Sequence, residues 1–61
     1  MSQFLFDPTD SRGVTFLWIS CERRWLASQE GDSVKADSYR EALFALRKQQ
    51  YARRGVDLVL V

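Results

Sequence analysis

Residues 37–55 read Asp-Ser-Tyr-Arg-Glu-Ala-Leu-Phe-Ala-Leu-Arg-Lys-Gln-Gln-Tyr-Ala-Arg-Arg-Gly, and the fold turns on this stretch. Asp37 or Ser38 can cap a helix, and Ser38-Tyr39-Arg40-Glu41 matches a capping box, in which hydroxyl and carboxylate satisfy amides at the helix start. Ala42 to Arg54 are mostly good helix formers. Arg53 and Arg54 are placed in the last turn, where the helix dipole favours cations, and Gly55 suits the residue just beyond the end. At 100° per residue Tyr39, Ala42, Leu43 and Leu46 share one arc, the core face.

On the far side of Gly55, Val56 to Val61 read as a closing strand. On the near side, Gln29 to Ala36 read as a polar loop. Val14 to Cys21 (Val-Thr-Phe-Leu-Trp-Ile-Ser-Cys) is the clearest strand, rich in β-branched and aromatic residues. Val14, Phe16 and Trp18 alternate with Thr15, Leu17 and Ile19. Both faces are largely apolar, which predicts a central strand. Glu22-Arg23 can turn the chain into a third strand at Arg24–Ser28. A short helix over the same residues, capped by Ser20 and ended by Gly31, is the competing reading. Residues 3–6 form a short apolar run that stops at Asp7-Pro8, since proline has no amide to donate. Asp7 to Gly13 is dense in turn formers. The expectation is a single α+β domain over 1–61: an antiparallel sheet of three to four strands, one helix packed on one face, order β-β-β-α-β.

Composition narrows the chemistry. The chain has 61 residues, no histidine and one cysteine. An intrachain disulfide and a cysteine–histidine metal site are therefore excluded, and Cys21 lacks the usual activating base. The carboxylates lie mostly in turns, and the three glycines are too scattered for a phosphate loop. These features predict no enzyme activity, no metal and no cofactor. No apolar run is long enough to span a bilayer, and the N-terminus lacks a signal-peptide pattern. With its lone thiol the chain reads as cytoplasmic, with no membrane partner.

Net charge is +1, but it is unevenly spread. Lys35, Arg40, Arg47, Lys48, Arg53 and Arg54 face only Asp37 and Glu41 within residues 35–54, while the preceding part is net negative. On the helical wheel Phe44 and Tyr51 lie together, away from the core arc, with Arg40, Arg47 and Lys48 around them. Two readings apply. The aromatics cover the edge of the core beneath a solvated basic face, or they form a binding surface, because exposed aromatics with arginine are common anchors. The sheet leaves a second surface: its helix-free side is apolar, and a homodimer or a foreign partner would cover it.

The arrangement resembles that of the small RNA polymerase inhibitors of short-tailed coliphages, with HicB-type antitoxins as a second likeness. It rests on Ala36 to Val61: Asp37-Ser38, Glu41-Ala42-Leu43 and the strand after Gly55. In the phage family arginines on the closing strand bind polymerase; Val56 to Val61 has none, so no site residue is carried over. The resemblance implies a class, in which a tiny cofactor-free protein, phage-encoded in that family, docks on a larger host assembly and inhibits it in the course of host takeover. The expected function is protein binding of this kind through Arg40, Phe44, Arg47, Lys48 and Tyr51. The alternative is a dimeric nucleic-acid-binding regulator using the basic helix with Arg23, Arg24, Arg53 and Arg54.

Overall fold

A computed structural model describes residues 2–59, and within them the order is β1 (Ser2–Leu5), β2 (Thr15–Ile19), β3 (Arg24–Gln29), β4 (Asp32–Ala36), α1 (Tyr39–Ala52) and β5 (Val56–Val59). The domain is α+β with one helix, as the sequence predicts. The end of the closing strand, residues 60–61, lies outside the described part.

The helix starts as its sequence dictates. Ser38 is extended at the cap, and its Oγ accepts from the Glu41 amide at 3.2 Å. The end differs slightly. Ala52 is the last helical residue and Arg53 the cap, so Arg53 and Arg54 lie just past the last turn rather than in it. The amides of Arg54 and Gly55 close back on the carbonyls of Tyr51 and Ala52. Gly55 takes φ +76° there, a left-handed turn that glycine makes without steric cost.

Two expectations about the sheet are corrected. Residues 29–36 are not a loop. Gln29 ends β3, Glu30 and Gly31 turn with φ +50° and +86°, and β4 follows antiparallel. Positive φ at both central residues is what a type I′ hairpin turn requires. Asp32, Val34 and Ala36 point to the helix side, while Ser33 and Lys35 point away. The strand escapes notice because its first inward position is an acid. The second correction is that there are two sheets. β2-β3-β4 is antiparallel, and β1 pairs with β5 in parallel, with Phe4 opposite Leu58. The β2–β3 hairpin holds in place of the alternative helix, with its turn at Ser20–Arg23 and Arg23 at φ +55°. β2 lies at the edge of its sheet, not at its centre.

The helix is the joint between the sheets. Leu43 packs with Phe6 and Leu58 against the parallel pair. Leu46 and Ala42 pack with Ala27 against the antiparallel sheet, flanked by Trp25, Val34 and Ala36. Leu43 and Leu46 are fully buried, each worth about 1.5–3 kcal/mol of transfer free energy. Tyr39 stacks on Phe16 at 3.9 Å and meets Trp25 edge-on, which closes the core at the helix start.

The segment from Asp7 to Val14 crosses between the sheets. Asp7 Oδ1 accepts from the Thr9 hydroxyl at 2.6 Å and the Thr9 amide at 2.9 Å. These bonds, the hydroxyl's first, hold the Asp7 carboxyl below its ordinary pKa despite full exposure. Its support for the turn is therefore complete above the ordinary carboxylate range and is lost as pH falls through the lowered value. Replacing Thr9 by valine is expected to move the Asp7 titration upward, read from its side-chain carbon shift by NMR. An unchanged titration would show that the hydroxyl bond does not form in solution.

Candidate functional site

Helix α1 carries Arg40, Phe44, Lys48 and Tyr51 along one ridge, since positions four, four and three apart stack on one side. Arg40 and Lys48 are exposed, and Phe44 and Tyr51 are half-buried. Phe44 meets Phe6 edge-to-face at 5.1 Å, and Lys48 Nζ lies 5.9 Å from the Phe44 ring centroid. Tyr51 meets Phe4 at 5.8 Å. Phe44 and Tyr51 therefore pack against the core cluster of Phe6, Leu43 and Leu58, and part of each side chain reaches the surface.

Phe4 extends this patch beyond what the sequence singled out. It is 57% exposed although large and apolar. With Tyr51, Val56 and Arg54 it lines an open hollow of about 170 Å³. Val56 follows directly from the helix exit, but only the parallel pairing of β1 with β5 brings Phe4 beside it, and nothing local in residues 2–5 announces that pairing.

Arg47 stands apart from its ridge neighbours. Its side chain is only 14% exposed. Nη1 donates to Gln29 Oε1 at 2.8 Å and to Gln50 Oε1 at 3.1 Å. Nη2 donates to the carbonyls of Asp10 at 3.2 Å and Arg12 at 3.4 Å. Gln29 Nε2 also donates to the Arg12 carbonyl. Arg47 is thus committed inward, as a clamp between helix, β3 and the Asp7–Val14 segment. Its guanidinium is not free to meet a partner.

The four arginines of the nucleic-acid alternative are not brought together. Arg23 and Arg24 sit at the β2–β3 turn beside the helix start, where Arg24 pairs with Asp37 at 3.6 Å. Arg53 and Arg54 sit at the other helix end, about 21 Å away for a helix of this length. Arg53 pairs with the buried Asp32, which also accepts from Gln49 Nε2 at 3.3 Å. Of the four, Arg54 borders the aromatic hollow. Among the described residues no helix is long and apolar enough to cross a membrane, and no group of three or more histidine, cysteine or acidic residues is placed to hold a metal. Cys21 is free and exposed in the β2–β3 turn. Comparison with protein families, characterised proteins and solved structures finds no match to this chain.

Proposed function

We propose that this chain is a non-catalytic protein-binding module that docks on a larger protein assembly and modulates or inhibits it. The observation that carries this reading is the patch of Phe4, Phe44 and Tyr51 bordered by Arg40, Lys48 and Arg54. Its aromatic rings are large, stiff and partly uncovered, so ordering them costs little entropy. The cations around them have no acidic neighbour among the described ion pairs and suit acidic groups on a partner. The apolar centre would supply desolvated area and the rim would steer the encounter.

The test is a tagged pull-down from nuclease-treated bacterial lysate, read by mass spectrometry. The wild-type chain is expected to recover one defined assembly in stoichiometric amount. An Arg40→Glu, Lys48→Glu double variant alters two exposed cations that take part in none of the described ion pairs and should melt close to wild type while losing at least about tenfold in recovery, the equivalent of ~1.4 kcal/mol. Undiminished recovery with that variant would place binding elsewhere. Nucleic acid co-purifying from untreated lysate, with affinity falling steeply as salt rises, would favour the regulator instead.

A further inference from the structure

Tyr51 and Arg54 border two hollows at the exit of α1. One is the apolar hollow of about 170 Å³ that they line with Phe4 and Val56. The other, about 340 Å³, is polar, and Glu30, Asp32, Gln50 and Arg53 also line it. The apolar hollow has room for one aromatic ring or branched aliphatic side chain, since an apolar cavity of roughly 150 Å³ holds a benzene molecule. Such a side chain would cover Phe4, which is otherwise left largely in water.

The charges around this hollow are unbalanced. Arg40, Lys48 and Arg54 are exposed and take part in none of the described ion pairs. Glu41 is the only acid in α1. Arg53, by contrast, pairs with Asp32, and Arg47 is turned to the carbonyls of Asp10 and Arg12. Arg54 is therefore the uncommitted cation beside the apolar hollow, and Lys48 and Arg40 continue from it along the helix.

We propose that the occupant is a short acidic segment of a partner protein. It seats one large apolar side chain in the hollow, sets a carboxylate against Arg54, and runs along the helix toward Lys48 and Arg40. This rests on the reading of the patch as a protein-binding surface and specifies what that surface takes. Arg40 and Arg54 are about 21 Å apart along the helix axis, and Lys48 lies about 9 Å back from Arg54. An extended segment covers the first distance in about six or seven residues and the second in about three. The anchor therefore has one acid beside it and another about three residues away. A nucleic-acid backbone fits less well. It carries charge at every step, whereas Glu30 and Asp32 line the adjoining hollow and Arg23 and Arg24 lie at the other end of the helix.

The test presents the immobilised whole chain with a displayed library of random peptides about ten residues long, enough to span the ridge. Enriched peptides should share one leucine, isoleucine, methionine or phenylalanine beside an acid, with the second acid at the spacing above. Added as a free peptide, the leading sequence should shift the amide resonances of Phe4, Tyr51, Arg54 and Val56 most. Cutting its apolar anchor to alanine should weaken binding at least about tenfold. Arg54→Glu should melt like wild type and also lose roughly tenfold, while Arg23→Glu, the same charge change at the far turn, should bind as wild type. Five results would overturn the proposal: no enriched peptide; enrichment without the acids or without the anchor; resonance shifts centred elsewhere; equal losses from Arg54→Glu and Arg23→Glu; or displacement of the peptide by an equimolar single-stranded oligonucleotide. If no peptide is enriched while the pull-down still recovers an assembly that the Arg40, Lys48 variant loses, the segment fails and the docking role stands. If a peptide binds at the hollow while the pull-down recovers nothing, it is the docking on a larger assembly that fails.

Discussion

Leu43→Ala is expected to leave little folded protein at 37 °C. A buried leucine cut to alanine typically costs about 2–5 kcal/mol, through lost transfer energy and the cavity left behind. A chain of this length has about 3–9 kcal/mol of total stability. Leu43 is fully buried and is the buried helix side chain that meets both Phe6 and Leu58. Its loss opens a void between the helix and the parallel pair, where few other side chains can collapse inward. Urea unfolding followed by tryptophan fluorescence should show the midpoint falling sharply with the slope little changed. Leu17→Ala, at an exposed position, should move the dilute protein's midpoint hardly at all. Comparable losses at both positions would mean that the core is not organised around α1.

Arg47→Met is expected to cost about 2–3 kcal/mol, because hydrogen bonds from a charged donor are among the stronger ones. Methionine keeps the apolar stem but takes the Arg47 donor from the Asp10 carbonyl and the Gln50 amide oxygen, while the Arg12 carbonyl and the Gln29 amide oxygen each keep one donor, from Gln29 and Gln50. The loss is tempered because Arg47 Nε, buried without a partner among the described residues, goes too. Amide exchange should quicken first in residues 10–14, which the guanidinium holds against the helix. Arg47→Lys should recover less than half of the loss. One ammonium cannot reach side-chain carbonyls on one side and loop carbonyls on the other, as a planar fork does. Full rescue by lysine, or a neutral effect of methionine, would reduce the clamp to a surface ion pair with Asp10.

Arg47 also shows where the sequence ceases to be legible. The helical wheel places it correctly beside the basic ridge. It carries no sign that a segment more than thirty residues earlier folds over the helix and offers two carbonyls. Local signals were read well: Ser38 with Glu41 for the helix start, Gly55 for its exit, the β-branched run for β2, and the Ala42–Leu43–Leu46 arc for the core. β4 was hidden because its alternation begins with Asp32, an acid at an inward position that only Arg53 and Gln49 make tolerable. Glu30-Gly31 was the available clue, a pair suited to a tight hairpin. The edge position of β2 and the parallel union of β1 with β5 follow from tertiary assembly, and neither has a local signature. Phe4 joins the exposed aromatic patch only through that assembly, which no local signal in residues 2–5 announces.

The union of β1 with β5 has a kinetic consequence. Phe4 and Leu58 face each other across nearly the whole length of the described chain. Bringing such distant segments together carries a larger loop-closure entropy than any other pairing in the fold. The two hairpins and the helix rest on near neighbours and can form quickly. The parallel pair is then the final latch of folding and the first to release. Changes at Leu58 should act mainly by hastening the loss of the native state, whereas changes at Ala27 or Leu46 should slow its formation. The aromatic patch that includes Phe4 is complete only while that latch is shut, so under the binding role proposed above the lifetime of the latch would set the longest time a partner is held there.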